Sequence, residues 1–181
     1  RFSTKLLEGM TQLDAKSIFE RLAPAIFKGI LSPIRKDRWL SGNYRFNQTT
    51  DVYWIMMVMP PEKRAEVHGL ITLELGMLSR RPSLKLAWHA MNAGGKYAID
   101  EAEIFARYCL EGAYQGVEIG AFCRSLRLLT DAIERMTEMG WQTHRQLMWD
   151  LHLQAYECSF LSDVVDETRR YHNLLLEKTQ T

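Results

Sequence analysis

From Glu62 onward, apolar residues recur at steps of three and four, and the stretches that carry them are cut at intervals by residues that end helices. Side chains at that spacing line one face of a helix, so the chain must fold as short helices that bury one another's faces. Three antiparallel pairs are predicted. Glu62 to Ser79 and Leu84 to Asn92 form the first across Arg80-Arg81-Pro82, setting Val67, Leu70, Ile71, Leu75 and Leu78 against Leu84, Trp88 and Met91. Asp100 to about Gln115 and about Ile119 to Met139 form the second, broken near Gly116 and stopped by Gly140. There Ile104, Tyr108 and Leu110 are expected to face Leu126, Leu129 and Ile133. Thr143 to Cys158 and Asp163 to Glu177 form the third, with Leu147, Leu151 and Ala155 set against Val164, Thr168 and Leu175.

Upstream, Asp14 is an N-cap for a helix whose stripe is Ile18, Phe19, Leu22, Ile26, Phe27 and Ile30. Between Leu31 and Thr50 the period is lost and turn formers gather, so an irregular basic arm is expected. Thr50 or Asp51 then caps a short helix ending before Pro60-Pro61, and this proline pair suits the first turn of the next helix, where a missing N–H costs nothing. The reading is an all-α chain of about seven or more helices: residues 1–60 as an N-terminal helix, arm and short helix, and residues 61–181 as three helix-hairpin repeats in a short solenoid.

A chain of 181 residues with 46% hydrophobic content can bury a core without disulfide or metal staples. The formal charge of +1 neither demands nor excludes nucleic acid, so only local charge informs. Cys109, Cys123 and Cys158 are odd in number and each sits in an apolar helical pattern, which reads as free, buried thiols in a reducing compartment. No apolar run reaches the roughly 18 to 20 residues of a spanning helix, so no transmembrane segment is expected. The first residues, Arg1-Phe2-Ser3-Thr4-Lys5, have the acid-poor, hydroxyl-bearing composition found at the end of an organellar transit peptide, which points to the mitochondrion.

Catalytic, cofactor and metal patterns are weak throughout. Ala93-Gly94-Gly95-Lys96-Tyr97 lacks the upstream glycine of a phosphate loop and has Tyr97 where a Ser or Thr must hold magnesium, so a helix C-cap with both glycines left-handed is the better reading. The five histidines show no i, i+4 pair and no metalloprotease motif, and are read as helix-surface or groove residues. Cys158, near Glu157 and His152, is the one candidate for a thiol nucleophile and is read as a structural cysteine. Trp54, Met56, Met57 and Met59 are read as a packed apolar helix, and Asp163, Asp166 and Glu167 as complements to the dipole of the last helix. No enzyme activity, cofactor or metal is expected.

The least ordinary segment is the basic arm. Arg35, Lys36, Arg38, Trp39, Tyr44 and Arg45 interleave arginine with aromatic rings, the side chains that carry both protein interfaces and stacked bases, and are the candidate partner-binding residues. The other candidate surface is the concave groove formed by the first helices of the pairs.

The second helices of the first two pairs end alike, Ala90-Met91-Asn92-Ala93-Gly94-Gly95 and Arg135-Met136-Thr137-Glu138-Met139-Gly140, with methionine and glycine four apart. That ending, best carried by Ala132 to Tyr156, resembles the pentatricopeptide repeat family. The two marks lie farther apart than one repeat of that family, which places an insertion in the middle repeat, and the last pair lacks the mark. The resemblance spans about Glu62 to Glu177. It implies an organellar protein that either reads RNA or serves as a structural component of a mitochondrial machine. A three-repeat chain with an added N-terminal helical region is similar to the additional subunit on the F1 head of euglenozoan mitochondrial ATP synthases. The expectation is therefore a non-catalytic subunit in the mitochondrial matrix, peripheral to the inner membrane through its complex, with the F1 α subunit as partner. The alternative is an organellar RNA binder or mitoribosome-associated subunit. Three repeats stacking one base each give roughly 3 to 9 kcal/mol gross, against an association cost of about 4 kcal/mol or more, so RNA is the weaker reading.

Overall fold

The computed structural model describes residues 2–34, 42–48, 55, 57–78 and 82–179, apart from the side chains of Leu78 and Tyr97. Among these, nine α-helices dominate: α1 (Thr4–Thr11), α2 (Ala15–Phe27), α3 (Pro61–Leu78), α4 (Leu84–Met91), α5 (Ala102–Glu118), α6 (Phe122–Met136), α7 (Met139–Thr143), α8 (Arg145–Leu161) and α9 (Val165–Thr179). The chain is all-α in class, with neighbouring helices packed on one another.

The N-terminal region departs from the expected irregular arm. Phe2–Ser3 (β1), Leu31–Pro33 (β2) and Asn43–Phe46 (β3) form an antiparallel sheet in the order β1-β3-β2, with Phe2 opposite Tyr44 and Ser32 opposite Arg45. Pro33 is tolerated because β2 is an edge strand, where a missing N–H breaks no ladder. The first residues thus have structural roles. Ser3 caps α1 by accepting from the Leu6 N–H at 3.1 Å, and Thr4 is buried with its hydroxyl donating to the Gly42 carbonyl. The helix α1 itself was missed, since eight residues with few apolar positions leave little period. Asp14 caps α2 as expected, accepting from the Ser17 N–H at 2.7 Å. That helix stops at Phe27 rather than Ile30, because Gly29 turns the chain at φ +70°.

Pro61 opens α3 in its first turn, with the Pro60 carbonyl accepting from Arg64. Ser83 caps α4, accepting from Leu86. The break in the second pair comes at Gly120, at φ +74°, and not near Gly116. Gly116 is buried inside α5 against Ser125, and Gly112 lies so close to α4 that an added methyl would stand 2.6 Å from the Ala87 side chain. Here the missing side chains allow close helix approach. Gly140 likewise does not end α6: Thr137, at φ +55°, does, and Gly140 packs against Met148. Of the two glycines directly after α4, Gly95 is left-handed and Gly94 extended, and Asn92 is the C-cap.

The main core runs from Leu84 to Tyr171, through Phe105, Cys109, Leu128, Leu129, Leu151 and Ala155. Leu147, Leu151, Ala155 and Leu175 are buried as expected, whereas Val164 is exposed. Thr130 and Tyr171 hydroxyls meet at 3.1 Å and tie α6 to α9. Of the expected packed apolar helix, Met57 is exposed, like Ile55 and Val58 beside it, and Met59 is half-buried; Trp54 and Met56 lie outside the described residues. Among the described residues no helix is long and apolar enough to cross a membrane.

Candidate interaction surface

Of the six arm residues singled out, Arg35, Lys36, Arg38 and Trp39 lie outside the described residues. Tyr44 and Arg45 lie on β3, whose alternation sends them to opposite faces. Tyr44 is buried, its ring stacked on Phe2 at 5.8 Å between centroids, and burial pushes its phenol above the ordinary range. It belongs to the core of the small sheet, a correction to its expected surface role. Arg45 is exposed and donates from Nε to Ser32 Oγ at 3.4 Å, while that hydroxyl donates to Asn47 at 2.6 Å. The two residues therefore do not form one surface with each other.

The first helices of the pairs carry a better-formed surface. A cleft of about 560 Å³ lies between α3 and α5, lined by Leu73, Gly76, Met77, Ile99, Ile104 and Tyr108 among others. Met77 is 79% exposed, Leu73 46% and Ile104 43%. Ile104 was expected in the core. At about 100° per residue it stands a quarter turn or more off the arc of Phe105, Ala106, Cys109 and Ala113, all of which are buried. The signal that finds the inner arc is the run of small residues Gly112, Ala113 and Gly116, since only the side packed against other helices profits from a missing side chain. On α3, Gly69 and Thr72 are buried while the expected stripe of Val67, Leu70, Ile71 and Leu75 is only half-buried, which leaves one side of that helix for the cleft.

Farther along α5, about a third of a turn round from Tyr108, Tyr114 is 42% exposed. Burial first, then the carboxylates of Asp150, Glu111 and Glu157, push its phenol up. Asp150 accepts from Gln146 at 2.8 Å and Glu157 from Gln154 at 3.0 Å; among the described residues none of the three carboxylates is in an ion pair. Arg107, on the same helix, is held by Glu103 at 2.8 Å. The second helices present a different charge. Arg124 and Arg127, both exposed on α6, lie over the Trp88 ring of α4 at 5.3 and 5.2 Å.

A second cleft, about 580 Å³, contains Gly94, Gly95 and Lys96, the residues weighed as a phosphate loop. Glu62 and Glu66 line it too, and the Lys63 ammonium 2.7 Å away holds Glu66 below its usual range, so the site presents carboxylates where a phosphate would need donors.

The histidines divide. His68 and His89 bring their Nδ1 atoms to 2.9 Å across α3 and α4, one donating to the other, an encounter that separation of 21 residues hides from sequence. Burial lowers both, His89 to about 4. His152 is buried rather than superficial, donating from Nδ1 to the Met148 carbonyl at 2.7 Å beside Trp141 and Tyr171. Among the described residues no three His, Cys, Asp or Glu side chains gather as metal ligands. Cys109 and Cys158 are buried, and burial pushes their thiols up to about 12 and about 11, so Cys158 holds its proton where a nucleophile must lose it. Cys123 is exposed, contrary to its expected burial. Set beside protein-family models, curated proteins and solved structures, the chain matches none of them.

Proposed function

We propose that this protein is a non-catalytic interaction subunit of a mitochondrial complex that holds a partner protein along the first helices of its hairpins. The observation that carries this reading is the uncovered apolar cleft between α3 and α5, where Leu73, Met77 and Ile104 stay in water beside a well-buried core. Clustered exposed apolar side chains of this kind are what a partner covers. The pentatricopeptide-like sequence ending and the stacked hairpins support placement in the mitochondrial matrix, with the F1 α subunit of ATP synthase as the favoured partner.

RNA is the alternative. Readers of RNA in helical repeats use side chains of each repeat on its bases, with phosphates close by. Glu111, Asp150 and Glu157, whose carboxylates act on Tyr114, are in no ion pair among the described residues and would repel a phosphate backbone, although Lys96 lines the cleft itself. The test is recovery of the tagged protein from mitochondria at native abundance, with and without ribonuclease. Retention of F1 α and β subunits in both samples supports the proposal. Ribonuclease-sensitive recovery of ribosomal or RNA-processing proteins puts the RNA reading in its place.

A further inference from the structure

We infer that His68 on α3 and His89 on α4 form a two-imidazole site for a transition-metal ion of the class of Ni2+, Cu2+ or Zn2+, which staples the two helices together. The site stands independently of the proposed interaction role.

Two imidazole nitrogens that hold one ion at about 2.0 to 2.1 Å and at right angles, as in square-planar or octahedral coordination, lie roughly 2.9 Å apart; a tetrahedral ion sets them at about 3.3 Å. The two Nδ1 atoms are 2.9 Å apart, with ring centroids at 4.9 Å. The backbones of α3 and α4 therefore stand where both ligands reach one ion, and each ring has only to turn by roughly 45° to aim its lone pair at it. Without an ion, one ring donates to the other. With an ion, the donor ring moves its proton from Nδ1 to Nε2, so both Nδ1 atoms coordinate and no proton is released. Among the described residues neither ring has a second hydrogen-bond partner, so nothing locks either tautomer. Both rings are half-buried, which leaves them open to an ion and its waters, and burial keeps them neutral, with lone pairs that protons do not occupy.

The surroundings select the ion. The charged groups that act on the pair are Arg64 and Lys85, with no carboxylate among them. Mg2+ and Ca2+ need oxygen anions and find none, whereas an ion that favours imidazole nitrogen is held. Arg64 donates to the Met59 carbonyl at 3.2 Å and Lys85 is exposed, so the two cations weaken the site without filling it. Among the described residues no third His, Cys, Asp or Glu joins the pair, so water takes the remaining positions and the affinity is moderate. Because α3 is one wall of the α3–α5 cleft, the staple fixes that wall on the core helix α4.

The experiment titrates the full chain, free of any affinity tag and carrying Cys123→Ser to remove the exposed thiol, with Ni2+ at neutral pH by calorimetry. One ion per chain is expected, with a Kd on the order of 10 μM, and Mg2+ should not saturate the chain below about 1 mM. His68→Ala and His89→Ala should each weaken Ni2+ at least about tenfold. The control His144→Ala/His172→Ala should leave it within about twofold. Thermal melts verify that each variant is folded, and Ni2+ should raise the Tm of the parent chain and not that of either single variant. If a single variant does not fold, electron paramagnetic resonance of Cu2+ on the parent chain decides: hyperfine lines from two nitrogens support the site, and lines from one or none overturn it. Absence of saturable Ni2+ binding, binding that survives either histidine replacement, equal binding of Mg2+, or an equal loss in the control variant overturns the inference.

Discussion

The hairpin stack and the N-terminal region are built on different principles. From Leu84 to Tyr171 a single buried cluster joins α4, α5, α6, α8 and α9, with small residues drawing α4, α5 and α6 together. Before it, among the described residues, burial is scattered over Leu6, Ile18, Leu31 and Tyr44, and the strands are two to four residues long. Phe27 is 90% exposed there, and Val58 and Met57 are also in water. The difference teaches where stability and interaction reside. The stack supplies a continuous buried core, and α3, half-buried at its edge, leaves apolar surface uncovered at the junction of the two regions.

The sharpest break of that contrast is Leu151→Ala. Leu151 is fully buried at the centre of the stack, so the change should cost about 2 to 5 kcal/mol in a denaturant titration; an unchanged midpoint would remove α8 from the core. Gly112→Val should cost about 1 to 3 kcal/mol, because its Cβ would press on Ala87 and on the Ser83 backbone carbonyl. A neutral result there would loosen the α4–α5 contact.

The His68–His89 pair gives a pH signature of the α3–α4 hairpin. His89 falls from 6.5 to about 4 on folding, so the unfolded chain binds more protons between those values. Stability is full above pH 6.5 and is lost as pH falls toward 4, by about 1 to 3 kcal/mol given the partial exposure of the ring. The slope should shrink in His68→Leu/His89→Leu, and an identical slope would assign it to other groups, among them the buried His152, which burial also lowers. At the small end, Phe27→Ser should change stability by no more than about 0.5 kcal/mol, since the ring is already in water. A larger loss would mean that Phe27 is covered in solution. Thiol labelling draws the same line within the stack: Cys123 should react with an aromatic disulfide reagent in the native protein, and Cys109 and Cys158 only on unfolding.

Sequence pattern went furthest where period and caps agreed. Asp14, the Pro60-Pro61 pair and the buried triad Leu147, Leu151 and Ala155 fall where their spacing puts them. It failed where one residue type serves two purposes. A glycine at the end of an apolar stripe reads as a stop, yet Gly116 and Gly140 are sites of close packing, and only a fold supplies the neighbours that distinguish the two. Strands of two to four residues carry too little alternation to be seen, so Tyr44 looked like surface when its partner across the sheet was Phe2. The cleft was hidden for a similar reason: Ile104 shares the helical period with the core, and its exposure depends on how far α3 stands from α5. The His68–His89 contact and the carboxylates around Tyr114 join residues remote in sequence, which no local pattern records.

The most direct test of the account is co-purification of Met77→Asp/Ile104→Asp beside the wild-type chain from ribonuclease-treated mitochondria. The account predicts that the variant keeps its melting temperature within about 2 °C, as surface changes do, and loses the F1 α and β subunits. A folded variant that retains them at the wild-type level would contradict it.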